Sequence, residues 1–393
     1  MKIRNGNSTI KYYFFLKLIV FRRDLVEKIL FILTLMLLLL LNENTYASNL
    51  SLSAESYILV EESSGRVILE KNARNRMPMA STTKIMTGLL AIEYGNLDDL
   101  VEIGKESINI EGSSIYLKEG EKVKLIDLIY GLILRSGNDS AVAIANHIGN
   151  TEEAFVSMMN NKARKIGALN TNFVNPHGLY DENHYTTAYD LAFITRKALE
   201  YNEFKNIFSA KTYKCERETD NYFINKNKAL WEYEGADGGK TGYTMASGRC
   251  LVTSATRNNM RLIAVSLNAP NWFNDNYKIM EYGFENFKLY NIYEKGQLIT
   301  LADVTDGKRD KIALVADNDF FYPLMDEELK SVKMSVHINE QINTPIAKDE
   351  ILGYVEVFLY GNLIRRDDLV AKYEVERVSF LNRILQPFLN KVK

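Results

Sequence analysis

Ala80-Ser81-Thr82-Thr83-Lys84 opens a stretch that carries Ile85, Met86, Leu89 and Leu90 at helical spacing, runs to Tyr94 and stops at Gly95. Pro78 leads into it, and a glycine just past the end suits the left-handed C′ position, so the pattern predicts a helix from Ser81 to Tyr94. On that helix Ser81 and Lys84 share a face, because positions i and i+3 are neighbours. A serine hydroxyl is a poor nucleophile until something takes its proton. A lysine one turn on takes it only if its pKa falls from ~10.4 to ~7–8, about 4 kcal/mol of differential interaction. Burial over the apolar floor of Ile85, Met86, Leu89 and Leu90, or a second cation close by, works in that direction. Alone, Ser-x-x-Lys is a weak signal and reads equally well as a capped helix with an exposed lysine.

Two further helical stretches follow, Lys124 to Leu134 and Ser140 to His147, with Arg135 to Asp139 as the turn between them. The turn holds Ser136-Gly137-Asn138. There Asn138 can hold Lys84 and hydrogen-bond a substrate amide, and Ser136 can relay a proton between Lys84 and a leaving amine. Gly and Asn also suit an ordinary interhelical link. A third segment, Gly238-Gly239-Lys240-Thr241-Gly242-Tyr243, sits at a strand start. Lys240 and Thr241 offer a cation and a hydroxyl to a carboxylate, and Gly242 lets the backbone come close to an acyl group. The N–H groups of Ser81 and Tyr243 would then form an oxyanion hole. Lys240 is also the second cation that Lys84 needs. Taken alone, this segment reads as a glycine-rich hairpin.

Around these segments, Tyr57-Ile58-Leu59-Val60 and Arg66-Val67-Ile68-Leu69 flank Ser63-Ser64-Gly65 as a hairpin. Glu152 to Ile166 reads as a helix with two acids in its first turn, where the dipole favours them. Lys240 to Thr244, Arg249 to Thr256 and Arg261 to Leu267 read as consecutive antiparallel strands, turned at Asn258-Asn259 and followed by a helix over Trp272 to Phe287. The fold class is α+β, a helical region against an antiparallel sheet. Beyond Tyr290, short alternating runs such as Lys311 to Val315 and Gly353 to Phe358 predict a small separate all-β domain.

Order and setting of the three segments resemble class A β-lactamases and penicillin-binding proteins. More closely, the sequence resembles the low-molecular-mass penicillin-binding D-alanyl-D-alanine carboxypeptidases, the S11 serine peptidases. Ser64-Gly65-Arg66-Val67, Gly112-Ser113-Ser114, Asn175-Pro176-His177-Gly178-Leu179 and His184 to Leu191 carry the likeness further, strongly over residues 50–290. The resemblance implies a β-lactamase/transpeptidase-like domain and a two-step acyl transfer. Ser81 attacks the carbonyl between terminal D-alanines of a peptidoglycan stem peptide, helped by Lys84, and water releases the shortened peptide. It implies acylation of Ser81 by β-lactam antibiotics, a place in peptidoglycan synthesis and cell shape, and no cofactor. Gly239 departs from the family pattern, which often has a larger residue before the lysine. A class A-like β-lactamase would need a Glu-x-x-Leu-Asn loop, which is not found between Asn150 and Tyr213. A non-catalytic wall-peptide or β-lactam binding module has no need of a deprotonated lysine. No Gly-x-Ser-x-Gly elbow is present, and His177 and His184 read as loop-packing residues.

Composition narrows the rest. The 393 residues are 46 % hydrophobic and 25 % charged, ordinary for a globular chain. Arg22, Arg23 and Lys28 precede a thirteen-residue apolar run, Ile29 to Leu41, and Thr45-Tyr46-Ala47 offers a cut after Ala47. The run is short of the ~20 residues that span a bilayer and matches a signal-peptide core, while its long polar lead leaves an uncleaved anchor open. Either way the remainder is expected to be exported, to the outer face of the cytoplasmic membrane or the cell wall. Residues 1–47 carry seven Lys and Arg against three Asp and Glu, which leaves 41 basic and 47 acidic residues and a net charge of −6 on the remainder. That argues against nucleic acid. Two cysteines, Cys215 and Cys250, make no disulfide framework, and four scattered histidines make no metal site. Leu381, Ile384, Leu385, Phe388 and Val392 recur at helical spacing beside Arg383, Lys391 and Lys393. Such a tail lies in a membrane interface or packs on its own domain. The expected division is 1–47 signal peptide, 48–290 serine peptidase domain, 291–370 β domain and 371–393 tail.

Overall fold

The computed structural model describes residues 50–379; the expected signal peptide and the amphipathic repeat from Leu381 lie outside them. The chain begins with a hairpin, β1 (Ser56–Glu61) and β2 (Val67–Lys71). The Glu61 carboxylate closes its turn by accepting from the N–H and hydroxyl groups of Ser63 and Ser64. A 3₁₀ turn, Ala80–Thr83, leads into α1 (Lys84–Tyr94). Strands β3 (Leu100–Glu102) and β4 (Lys122–Lys124) clip a long loop at its base. Then come α2 (Leu125–Tyr130), a π-helical turn Gly131–Arg135, α3 (Asn138–Gly149), α4 (Glu152–Ile166), α5 (Ala188–Ala198) and α6 (Asn202–Ser209). A small hairpin, β5 (Thr212–Lys214) and β6 (Tyr222–Ile224), and the short α7 (Ala229–Glu232) precede β7 (Ala236–Thr244), β8 (Gly248–Arg257), β9 (Met260–Leu267) and α8 (Trp272–Asn286).

The five long strands form one antiparallel sheet in the order β2-β1-β9-β8-β7. β1 is buried along its whole length because α5 packs on it and on β9, while α8 covers β8 and β9 from the other face. A strand covered on both sides has no polar face to show, hence the unbroken Tyr57-Ile58-Leu59-Val60 run. β7 is an edge strand, so one row of its backbone groups is free to meet a ligand.

Three local expectations change. Gly95 is extended (φ −98°), not left-handed; a Cβ there would fall 2.3 Å from Leu125 and 2.8 Å from Ile148, so lack of room, not backbone conformation, demands glycine. The helix expected from Ser81 is 3₁₀ through Thr83 and α-helical only from Lys84. The interhelical turn is shorter than Arg135 to Asp139: Asn138 already opens α3, and Ser136 alone is left-handed (φ 64°). Both cysteines are buried and free.

Past α8, β10 (Lys288–Tyr293) pairs with a later strand, β13 (Phe320–Leu324), and a second antiparallel sheet surrounds its own core of Ile312, Leu314, Leu324, Val355, Val357 and Leu369. That sheet is built from β11 (Leu298–Asp303), β12 (Lys311–Ala316), β14 (Val332–Ile338), β15 (Ile351–Leu359) and β16 (Asn362–Ala371), ordered β11-β12-β16-β15-β14. Beyond Ala371 the chain is still bridged to it, Val375 to Ile346 and Arg377 to Gly307. Among the described residues no helix is long and apolar enough to cross a membrane.

Arg66, at the mouth of the first hairpin, ties that hairpin to β13 and the 3₁₀ turn that follows it. Its guanidinium donates to Glu328 at 2.6 and 2.9 Å and to the Pro323 carbonyl, and lies 5.0 Å over Phe287 and 5.3 Å over Tyr322. Arg66→Ala would leave the Glu328 carboxylate unpaired in a largely buried position, at a cost of about 3–5 kcal/mol. Urea unfolding measures this; a loss below about 1 kcal/mol would mean that the contact adds no more than a surface ion pair.

Candidate active site

Ser81 stands on the tight turn before α1, half-buried, with Thr82 and Thr83 closing the turn through their hydroxyls onto the Met79 and Ala80 carbonyls at 2.6 and 2.8 Å. Behind it, His184 accepts the Val174 N–H on Nδ1 at 3.1 Å, so its proton is on Nε2, which donates to Thr83 Oγ1 at 2.7 Å. Burial holds His184 down to about 4 and His177 to about 3, the charge of Lys84 adding to the burial of His177, so both rings are neutral.

Lys84 is fully buried. Its Nζ meets Ser81 Oγ at 3.0 Å, Asn138 Oδ1 at 2.7 Å and the His177 carbonyl at 2.5 Å. Burial first, and then the charge of Lys240, press its pKa well below the ordinary lysine value; Asp139 pulls the other way and Lys226 adds a smaller push down. Two of the three neighbours are carbonyl-type oxygens, which only accept. A neutral amine has two N–H bonds, which these two consume, and its lone pair is then left facing Ser81 Oγ, the one neighbour that can donate.

The His177 carbonyl is held where it is by a stapled loop. Asn175 Oδ1 accepts from the Gly178 N–H at 2.6 Å, Asn175 Nδ2 donates to the Leu179 carbonyl at 2.9 Å, and Thr87 on α1 donates to the Pro176 carbonyl at 2.6 Å. Gly178 takes φ +89°, and a Cβ there would lie 2.0 Å from the Ala80 carbonyl oxygen. This loop therefore presses directly on the turn that carries Ser81, and only glycine allows the approach.

Asn138 is brought to Lys84 and secured by donating Nδ2 to the Glu111 carbonyl and its own N–H to the Ser113 carbonyl at 2.7 Å. Its neighbour Asp139, singled out by no spacing argument, anchors the facing loop. The carboxylate accepts from Ser114 Oγ at 2.5 Å, Ile115 N–H at 3.0 Å and Leu117 N–H at 3.2 Å. Ser136 is not in direct hydrogen bond with Lys84; its Oγ accepts from Lys240 Nζ at 3.0 Å instead.

Lys240 is buried on β7 and donates also to the Thr241 carbonyl at 2.9 Å. Burial, then Lys226, bring its pKa down to about 7. A Cβ on Gly242 would lie 3.0 Å from Ser81 N, so the strand passes against the serine turn with no side chain between them. Thr244 N–H closes the turn after β7 by donating to Ser247 Oγ at 3.0 Å. Gly239 has its own cause: the Asn227 amide nitrogen would be 1.8 Å from a Cβ there, so the larger residue expected before Lys240 has no room.

No cluster of metal-ligating side chains occurs among the described residues. The chain matches the family described as D-alanyl-D-alanine carboxypeptidase, peptidase S11, over residues 43–271, and the penicillin-binding protein 5 C-terminal domain over residues 287–377. It is 32 % identical to the D-alanyl-D-alanine carboxypeptidase DacF of Bacillus subtilis across 85 % of this chain and 89 % of that protein. It is also 32 % identical to DacC of Escherichia coli, across 85 % and 87 %. Among solved structures, penicillin-binding protein 5 from Haemophilus influenzae is similar with a TM-score of 0.72 and 31 % identity, over 84 % of this chain and 99 % of that one.

Proposed function

The chain belongs to the S11 family of D-alanyl-D-alanine carboxypeptidases, and from that membership we propose that it removes the terminal D-alanine of peptidoglycan stem peptides through an acyl-enzyme on Ser81. The observation that carries the assignment of roles is the placement of a buried amine, Lys84 Nζ, 3.0 Å from Ser81 Oγ with its other two contacts taken by pure acceptors.

In this reading Lys240 and Thr241 hold the substrate carboxylate, and the scissile carbonyl lies between the N–H groups of Ser81 and Tyr243. Lys84 takes the Ser81 proton as the Oγ–carbon bond forms. The charge on the carbonyl oxygen is met by those two N–H groups, each worth about 3–4 kcal/mol in comparable sites. Ser136, bonded to Lys240, passes a proton to the leaving amine. Lys84 then serves again as base for the water that frees the peptide, and a β-lactam stops at the acyl stage. The match to a penicillin-binding protein C-terminal domain over 287–377 favours this over a β-lactamase, and the family's activity favours it over a binding module.

Cleavage after Ala47, action on the outer face of the cytoplasmic membrane or in the cell wall, and peripheral membrane contact through the tail are parts of the same proposal. They are supported by the apolar run at Ile29 to Leu41 and the amphipathic repeat from Leu381. So is the division into a peptidase domain to about residue 290 and a β domain after it.

The test is release of free D-alanine from a diacyl-D-Ala-D-Ala tripeptide by the purified protein; no release refutes the activity. A pH profile tests the charges. Lys84 must be neutral, so kcat/KM rises as pH passes its lowered pKa. Lys240 must be protonated, so kcat/KM falls as pH rises through about 7, the value in the free enzyme. Lys240→Arg, whose guanidinium does not titrate, is expected to remove the alkaline limb. An alkaline limb unchanged in that variant assigns it to another group.

A further inference from the structure

Beside the carboxylate end of the site lies positive charge that one substrate carboxylate does not use. Arg135 directly precedes Ser136, is half-buried, and has no hydrogen-bond or ion-pair partner among the described residues. Lys226 stands next to it: its backbone N–H bonds the Leu134 carbonyl at 3.2 Å, its Nζ donates to Ser113 Oγ at 3.1 Å, and Arg135 together with burial lowers its pKa. The charge of Lys226 in turn reaches Lys240. Like charges held together without a counter-ion are costly, and an anion placed among them relieves the cost.

Arg135 lines a small cavity of about 50 Å³ together with Ser114, Tyr116, Asp220 and Tyr222. Tyr116 is 63 % exposed and takes a left-handed backbone (φ 62°), which a bulky residue adopts only under constraint. The constraint is visible. Asp139 grips the N–H groups on either side of it, and Arg217 donates to the carbonyls of Ile115 at 2.8 Å and Tyr116 at 3.1 Å. Arg217 is itself locked to Glu121 at 2.7 Å. A strained, exposed aromatic held this firmly in the lining of a cavity shared with an unpaired guanidinium is a built feature, not a loose surface loop.

With the substrate carboxylate placed on Lys240 and Thr241, the leaving residue comes next to Ser136, whose Oγ accepts from Lys240 Nζ at 3.0 Å, and Arg135 is the residue before Ser136 in the chain. We propose that the Arg135 cavity is a leaving-residue subsite that accepts a D-amino acid whose side chain ends in a carboxylate, so that the enzyme also cleaves D-Ala–D-acidic termini. The inference rests on the proposed carboxypeptidase reading. Its step is the same: the Ser81 Oγ–carbonyl bond forms, the amide C–N bond breaks, and the amine leaves with the proton that Ser81 gave up. Asp220 also lines the cavity but makes no ion pair with Arg135.

The experiment compares kcat/KM for one diacyl donor ending in D-Ala–D-Ala, D-Ala–D-Glu and D-Ala–D-Gln. D-Gln matches D-Glu in shape and lacks only the charge. Wild type is expected to release D-Glu about tenfold better than D-Gln, as befits one charge-assisted contact. Arg135→Gln is expected to bring that ratio to about one, and Arg135→Lys to keep much of it. Equal release of D-Glu and D-Gln by wild type, which needs no variant, overturns the proposal, as does a ratio that Arg135→Gln leaves intact. Absence of D-Ala release by wild type is the separate failure of the parent reading.

Discussion

Lys84→Ala is expected to lower the rate of Ser81 acylation by penicillin about 10⁴-fold, the upper range for loss of a positioned general base. Among the described residues the amine is the one group in contact with Ser81 Oγ that can take its proton, at 3.0 Å, and no histidine substitutes for it. His184 is spent on Thr83 and Val174, and the His177 ring nitrogen Nδ1 accepts from the Leu179 N–H at 3.2 Å. Lys84→Arg should fare no better, because a guanidinium stays protonated and needs more room. The variant removes a group buried at a desolvation cost, so folding should survive and the circular dichroism spectrum should match wild type. Fluorescent-penicillin labelling followed over time measures the rate. Labelling within tenfold of wild type would assign the proton to some other acceptor.

The second large effect comes from a change of a single atom type. Asn138→Asp places a carboxylate oxygen 2.7 Å from Lys84 Nζ. An opposite charge at that range favours the charged amine and raises its pKa by about 1–3 units. Protonated lysine then persists to higher pH, so the acid limb of kcat/KM moves upward. On the acid limb, below the wild-type pKa, each unit of that rise removes about a power of ten from the neutral fraction, a loss of about 10- to 1,000-fold there. Asn138→Ala lowers activity without that upward shift, because it adds no charge. Identical acid limbs in wild type and Asn138→Asp would show that Lys84 is not the group titrating there.

Much of this site was legible from residue types. Ser81 and Lys84 share a face whether the turn is 3₁₀ or α, and Ser136, Asn138, Lys240 and Thr241 announce themselves by chemistry and setting. What stayed hidden has physical reasons. The third acceptor on Lys84 is a backbone carbonyl, that of His177, and a carbonyl has no residue-type signature. The segment around it was visible, but its meaning depends on Gly178, where an added Cβ would lie 2.0 Å from the Ala80 carbonyl oxygen. Asp139 read only as the end of the interhelical turn; the fold shows that its carboxylate holds the opposite loop.

The fold divides in the same way. Strands β7, β8 and β9 follow one another and pair in order, so local pattern sufficed. The first hairpin joins the same sheet by pairing Ser56 with Leu267, far along the chain, a register that no local window contains. Helix α5, Ala188–Ala198, was marked only by family likeness, because Tyr189, Asp190, Thr195 and Arg196 break up its apolar period. Its start is set by Thr187, whose hydroxyl accepts the Asp190 N–H at 3.0 Å. The interhelical turn shortened because Asn138 is needed as the first residue of α3, with its side chain on Lys84.

The central claim is that Ser81 carries the acyl group of a wall peptide cut at D-Ala-D-Ala. Rapid acid quench of the enzyme turning over a diacyl-D-Ala-D-Ala tripeptide, followed by peptide mapping in a mass spectrometer, tests it most directly. The expected result is the peptide containing Ser81 bearing the acyl group less one D-alanine, absent from Ser81→Ala together with D-alanine release. An adduct on another residue, or D-alanine release that persists in Ser81→Ala, would contradict it.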